Sequence, residues 1–180
     1  MNKTIIKLFT LDEFEKEENW LNEMSEKGME LIKARFIGYT FRPREKNKYQ
    51  YKIIFYDKAK SGPEWDDFME ILSESGIEVV SRYFNWLYLK KENDGTPFRM
   101  FNTVREELAH VNKIKKLSAA LLILESVRLV MEIASMMISG HIALAVPTVM
   151  VALVWLLVFK VNSGLKKVFD RLSQQADIYQ

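Results

Sequence analysis

The chain contains no cysteine, which removes disulfide frameworks, thiolate zinc sites and cysteine nucleophiles together and suits a reducing compartment. Histidine is almost as scarce. His110 and His141 are the only two, and they flank opposite ends of one hydrophobic segment, too far apart to share a metal. Charge of one sign is also missing: the formal net charge of +2 lacks the basic excess of a nucleic-acid binder, so nucleic acid is not an expected partner. Residues 1–10 hold too short an apolar run for a secretory leader and lead into an acidic helix, so export of the N-terminal part is not expected. No segment carries a catalytic, metal-binding or nucleotide-binding constellation. The chain is therefore expected to be no enzyme and to need no cofactor, and its task can be argued only by class.

What is present is unevenly distributed. A chain of 180 residues has room for one compact domain and an appendage. Most charge precedes Lys116, while the stretch from Leu117 to Val161 holds only Glu125, Arg128, Glu132 and Lys160. The expected division is a domain over 1–100, a helical linker over 101–116, a hydrophobic hairpin over 117–161 and a basic amphipathic tail over 162–180.

The first hundred residues match themselves. Trp20 to Ile32 aligns without gaps on Phe68 to Val80, with Ser25/Ser73, Glu26/Glu74, Gly28/Gly76 and Glu30/Glu78 identical. The same offset pairs Ile5 and Ile6 with Ile53 and Ile54, and Phe36 with Phe84. Thr10 with Glu13, and Ser61 with Glu64, read as capping boxes, and Pro63 suits a first helical turn. Phe14, Leu21 and Met24 mark the apolar face of one helix; Trp65, Phe68, Met69 and Leu72 mark that of the next. Gly28 and Gly76 end them in a left-handed turn. Strands are expected at Thr4 to Phe9, Met29 to Phe36, Gly38 to Arg42, Tyr49 to Tyr56, Ile77 to Phe84 and Trp86 to Lys90. The fold class that follows is α+β: a duplicated β-α-β-β unit (repeat one about 4–43, repeat two about 52–91) forming a largely antiparallel sheet with both helices on one face. In topology this resembles the ligand-binding domains of the GyrI-like class.

Ile142 to Phe159 carries no charge, and with His141 and Lys160 it makes a helix of about 30 Å, the hydrocarbon thickness. The preceding segment, Leu117 to Ile138, is as long but contains Glu125, Arg128 and Glu132, each of which costs about 2.5–3.5 kcal/mol at a membrane helix centre. Their i+3 and i+4 spacing puts them on one face, with Ser118, Ser135 and Ser139 near the same stripe. Such a stripe should face a partner: the second helix, a second copy or another membrane protein. The second helix offers only Thr148 as a polar residue, which favours an outside partner. Leu117 to Ile138 either spans or lies amphipathically at the interface or against the domain. Lys113, Lys115 and Lys116 precede it, and Lys160, Lys166, Lys167 and Arg171 follow the second helix, whereas Ser139-Gly140-His141 between them has no lysine or arginine. The expectation is a two-span cell-membrane protein with both termini in the cytoplasm, its basic residues facing anionic lipid.

The order of motifs Trp20-Leu-Asn-Glu-Met-Ser-Glu-Lys-Gly28, Tyr39-Thr-Phe41, Tyr49-Gln-Tyr51, Gly76-Ile-Glu-Val79 and Trp86-Leu-Tyr-Leu89, followed by hydrophobic helices, resembles the bacterial membrane family catalogued as domain of unknown function 2812. The resemblance covers roughly residues 5–110. Family members commonly carry tryptophan after each glycine, where Met29 and Ile77 stand here. It implies a cytoplasmic domain tethered to the membrane and a link to PadR-type transcriptional regulators; it brings no catalytic residues.

Two further clusters have ordinary readings. The acidic run Asp12 to Glu18 reads as a solvated helix start, favoured by the helix dipole. Arg42-Pro-Arg44-Glu-Lys46-Asn-Lys48, flanked by Tyr39, Phe41, Tyr49 and Tyr51, reads as a charged hairpin turn; contact with an anionic leaflet is a further option, and a single-strand nucleic-acid platform is the least favoured. The functional expectation is a membrane-anchored regulatory or sensor protein whose soluble domain binds a protein or small molecule and whose Glu125, Arg128, Glu132 stripe binds a membrane partner or a second copy. The rival is an accessory subunit of a membrane transport complex.

Overall fold

The computed structural model describes residues 2–140 and 145–178. The chain divides into two compact units, Met1–Met100 and Phe101–Gln180. The first contains β1 (Lys3–Ile6), α1 (Phe14–Glu26, entered through a 3-10 turn at Leu11–Glu13), β2 (Met29–Arg35), β3 (Gly38–Pro43), β4 (Tyr49–Phe55), α2 (Pro63–Glu74), β5 (Ile77–Tyr83) and β6 (Trp86–Glu92). The second consists of α3 (Val104–Ser139) and α4 (Ala145–Ile178).

The α+β class is as expected, but the single sheet is not. Two three-stranded antiparallel sheets form, in the orders β1-β3-β2 and β4-β6-β5. Strands β2 and β5 come together without a backbone ladder; the Ser81 hydroxyl bridges them, accepting from the Ala34 N–H (3.1 Å) and donating to the Ala34 carbonyl (3.0 Å). Both strands carry a bulge just before this point, between Leu31 and Lys33 and between Val79 and Ser81. A bulge bends its strand and breaks the ladder locally, which keeps the two sheets separate.

The helices do not share one face either. Along β6 successive side chains point to opposite faces, and all of Trp86 to Lys90 are buried. Leu87 and Leu89 pack with Ile54, Tyr56, Trp65 and Leu72 under α2. On the other face Trp86 stacks on Phe14 of α1, 5.8 Å between ring centres, and the Tyr88 hydroxyl reaches Glu17 of α1. The opposite flank of α1 presents Trp20 edge-on to Tyr39 and Phe41 of β3. Helix α1 is thus enclosed between the two sheets, and α2 covers the far face of the second.

Polar side chains on α1 complete the enclosure. Glu18, Asn22 and Ser25, one helical turn apart, hydrogen-bond the outer backbone edge of β4 at Ile53, Tyr51 and Tyr49. Glu18 also bonds Lys52. The acidic run therefore departs from the solvated-face expectation: Glu13 accepts from the Thr10 N–H (3.2 Å) and hydroxyl (3.0 Å) as a cap, Glu18 is mostly covered, and Glu17 is only 7% exposed. The second helix starts differently as well. Gly62, at φ +86°, is its N-cap with Pro63 behind it, so Ser61 does not fill that role.

Pairing register corrects one equivalence. Tyr39 faces Ile5 and Leu87 faces Ile54, so Ile5 corresponds to Ile54 and not to Ile53. The β4–α2 connection is one residue shorter than its counterpart, and a one-residue slip exchanges the faces of a strand.

Two carboxylates sit inside this unit. Glu30, 2% exposed, accepts from Arg42 (2.6 and 2.9 Å), Arg44 (3.0 Å) and Lys90 (2.8 Å). Burial opposes its ionisation, but the bonds and charges of Arg42 and Lys90 outweigh burial and hold its pKa at about 2. The basic turn is thereby partly spent on Glu30, and Lys90 also meets Glu78 at 3.0 Å. Glu17 Oε1 accepts from both Tyr39 (2.6 Å) and Tyr88 (2.7 Å). Here burial prevails over the two hydroxyl bonds and raises the pKa.

Both helix-ending glycines have positive φ, +76° at Gly28 and +69° at Gly76, but a Cβ at Gly28 would lie 2.8 Å from the Arg44 carbonyl whereas one at Gly76 meets nothing within 4 Å. Gly76→Ala should therefore cost about 1–2 kcal/mol, the left-handed penalty alone, and Gly28→Ala distinctly more. Chemical denaturation of the two variants checks the order, and equal losses would show that the Arg44 contact relaxes freely.

The two acids should respond to pH in opposite senses. Glu30 is depressed from its ordinary 4.5 to about 2, so its contribution is present above about pH 4.5 and fades as pH falls towards 2. Glu30→Gln should remove about 3 kcal/mol at pH 7, since it leaves buried Lys90 short of a partner, with the deficit closing below pH 4.5. Glu17 is raised, so its charge weighs against folding as pH climbs through its folded pKa. Glu17→Gln keeps an acceptor for both tyrosines and should flatten that decline. Thermal unfolding across pH in mild detergent reads both.

Candidate functional site on the long helices

Helix α3 starts at Thr103, whose hydroxyl accepts from the Glu106 N–H (3.2 Å), and ends at Gly140 in the left-handed conformation. It runs without a break through both the expected linker and the first hydrophobic segment. Helix α4 likewise continues from the second hydrophobic segment through the tail. The turn containing His141, and the start of the expected span from Ile142 to Leu144, lie outside the described residues.

The two helices pack antiparallel, with Trp155 bonded to Ser126 and Lys115 set over the Phe169 ring. Val111, Ile114 and Ser118 of α3 and Val151, Val161, Leu165 and Leu172 of α4 are buried. The apolar repeat of the tail, Leu165 to Leu172, is thus half of a helix–helix seam. Lys113 and Lys116 on α3, and Lys166, Lys167 and Arg171 on α4, are exposed. Antiparallel packing brings these separate basic clusters to the same end of the pair, together with Lys115.

Beyond Ser118 the exteriors change character. Ile123, Leu124, Val127, Val130, Met131, Met137 and Ile138 of α3 are exposed, as are Val146, Val149, Met150, Leu153, Leu156 and Leu157 of α4. Among the described residues one helix, Ala145–Asp177, is long and apolar enough to cross a membrane. Helix α3 is equally long, but its apolar stretch is interrupted by Glu125, Arg128 and Glu132.

The structure brings these three residues together with different exposures. Glu125 turns inward, its side chain 18% exposed, and Arg128 Nη1 approaches its Oε1 at 3.5 Å. The other carboxylate oxygen, Oε2, is buried without a hydrogen-bond partner. Arg128 and Glu132 line an open groove of about 470 Å³ with Leu124, Val127, Met131 and Ser135. Ser135 lies where the stripe expectation puts it; Ser118 is buried in the seam, with its hydroxyl unsatisfied like the Asn162 carbonyl oxygen.

One polar pair escapes a reading of the charges alone. The Trp155 indole N–H donates to the Ser126 hydroxyl (2.8 Å), which donates to the Leu122 carbonyl (2.7 Å). A tryptophan inside an apolar helix needs an acceptor for its N–H, and that requirement was the available signal. Helix α4 therefore brings a second polar contact, beside Thr148, and directs it to Ser126.

Chemically, the groove offers a guanidinium, a carboxylate and a hydroxyl between aliphatic walls. That set can recognise a polar group carried on an apolar molecule or helix. Among the described residues no group of three or more acidic or histidine side chains is arranged to hold a metal. In the first unit Glu17 and Glu30 are already bonded to their own tyrosines and cations.

No curated protein and no solved structure matches the chain. A family profile described as "Protein of unknown function (DUF2812)" matches residues 13–123, from the entry to α1 through much of α3. It begins later than the motifs alone suggest and extends further along the first long helix. As the match takes in more than half of the sequence, the protein belongs to the DUF2812 family.

Proposed function

We propose that this protein is a membrane-anchored regulatory or sensor protein without catalytic activity, in which α3 and α4 form a two-span hairpin with both termini in the cytoplasm. The observation that carries this reading is the apolar exterior of both helices: Met137 is 77% and Ile138 88% exposed. A soluble monomer rarely leaves so large a continuous apolar surface in water. Convergence of the two basic clusters at one end of the pair supports the orientation, since lysine and arginine mark the cytoplasmic side. Leu117 to Ile138 spans in this reading because Arg128 offsets Glu125 and the α4 seam covers part of that charge.

The first unit then lies in the cytoplasm and binds a protein or small-molecule partner, for which the family resemblance suggests a PadR-type regulator. Its halves share strand order, bulge position and helix-ending glycines, which supports descent from a duplicated β-α-β-β unit. The groove at Arg128 and Glu132 is the surface for a membrane partner or a second copy. It also favours a second reading, an accessory subunit of a membrane transport complex that docks through this groove.

Substitution separates insertion from recognition. Arg128→Leu leaves Glu125 and Glu132 in hydrocarbon without their cation, whereas changing all three to leucine removes a burden of about 2.5–3.5 kcal/mol per charge. The single variant should be less abundant in membranes than the triple. The triple should insert normally yet lose the partner captured from mild detergent, and a triple variant that keeps every partner leaves the stripe no recognition role. Reporters fused before Met1 and after Gln180 should both register the cytoplasm; opposite sides would mean a single span.

A further inference from the structure

At one end of the first unit the β2–β3 and β5–β6 hairpins turn through two residues each, Phe36-Ile37 and Phe84-Asn85. Both apices carry phenylalanine at the same place in the turn, and both are turned outward: Phe36 is 60% and Phe84 79% exposed, with Ile37 and Ile6 alongside at 51% and 82%. The tips are neighbours. Phe36 stacks on Tyr83 (6.1 Å), which meets Phe84 edge-on (4.8 Å).

Phe84 has φ +47°, at a position where a two-residue hairpin turn asks for glycine. A large aromatic in that conformation is an outlier for its type, and here it also stands in solvent. Neither the turn nor the core is served by phenylalanine at this place, so two unfavourable features coincide on one side chain. Such coincidences cluster at functional surfaces.

The charges behind the tips have one dominant sign. Segments 3–11, 31–44 and 79–91 contain no acidic residue, and Lys7, Arg35 and Arg82 flank the apices. The β4–α2 connection reaches the same end, where the Tyr56 N–H donates to the Asn85 carbonyl (2.7 Å), and adds Asp57, Lys58 and Lys60. Lys58 meets Glu64 at 3.3 Å. Lys60 is held below its ordinary pKa, by burial first and then by the charge of Arg82.

We propose that the paired hairpin tips form a docking surface for an anionic lipid leaflet, Phe36, Ile37 and Phe84 entering the interface while Arg35, Arg82 and Lys60 meet lipid phosphates. Apolar side chains ahead of a cationic row is the chemistry of interfacial attachment. Both apices are two-residue turns whose phenylalanines stand out in solvent, so a protein partner would need hollows to receive them, whereas a bilayer needs none. The contact rests on the membrane attachment proposed above only for a leaflet within reach.

The absence of cysteine permits a single-label test on the full chain. Asn85→Cys, and separately Glu45→Cys in the β3–β4 connection at the other end of the sheets, would carry an environment-sensitive dye. The protein would be reconstituted into phosphatidylcholine vesicles with and without phosphatidylserine. The expected result is a blue-shifted emission at position 85, with quenching by spin-labelled lipid several-fold stronger than at position 45. Both should require phosphatidylserine and fall with salt, with Phe36→Ser/Phe84→Ser, and with Arg35→Gln/Arg82→Gln. A water-like signal at position 85 from a chain that floats with the vesicles overturns the tip contact alone. A chain that fails to float even with phosphatidylserine overturns both this contact and the membrane reading. A shift that ignores phosphatidylserine but tracks protein density assigns the tips to self-association and likewise overturns lipid docking.

Discussion

Everything in the first unit depends on how α1 meets the outer edge of β4. An exposed edge strand presents unpaired N–H and carbonyl groups that would otherwise seek another strand. Here Glu18, Asn22 and Ser25 satisfy that edge from the side of a helix. The match is geometric: three residues spaced along one helix face meet alternate residues of one strand. With the edge of β4 occupied and the bulges bending β2 and β5, the two sheets cannot merge. They close on α1 instead, joined by side chains: the Ser81 hydroxyl at Ala34, the Tyr51 hydroxyl accepting from the Leu31 N–H (2.8 Å), and Lys90 on Glu30.

Setting α1 between two sheets leaves it a narrow solvent face at Lys16, Asn19, Glu23 and Glu26, so the polar residues on its other faces must find partners inside. Glu17 finds two tyrosine hydroxyls, and Glu18 finds Lys52 and a backbone amide. Glu30 solves the same problem across strands, drawing cations from β3, from the β3–β4 connection and from β6. A buried charge is tolerable when hydrogen-bonded and paired and strongly unfavourable otherwise. These clusters therefore tie residues distant in sequence into one arrangement, while α2, which covers only one face, keeps an acidic exterior in water.

Strand positions were legible in the sequence because β-branched and aromatic runs alternate between clear breakers. All six strands occur within a few residues of where Thr4 to Phe9, Met29 to Phe36 and their counterparts place them. The glycine ends of α1 and α2 were equally legible, since a left-handed position favours glycine over every other residue. Sheet partition was not, because it rests on bulges after Leu31 and Val79 that leave apolar periodicity almost unchanged. Nor was the burial of Glu17, because a glutamate in a first helical turn looks the same whether water or tyrosine surrounds it. On the long helices the grouping of Glu125, Arg128 and Glu132 followed from helical spacing. Their division into one inward and two groove-lining residues depends on α4, whose direction of approach the residues of α3 do not encode.

Helix α3 is 36 residues long and uninterrupted, about 54 Å at the standard rise. It contains no proline, and its only glycine neighbour is the cap Gly140, so it has no hinge of the usual kinds between the Arg128 groove and the Thr103 end. A stiff rod cannot absorb a twist or a small axial slide midway along its length. The Arg128 groove and the Thr103 cap therefore belong to one rigid piece, on which the buried Val111 and Ile114 are fixed at set distances from both.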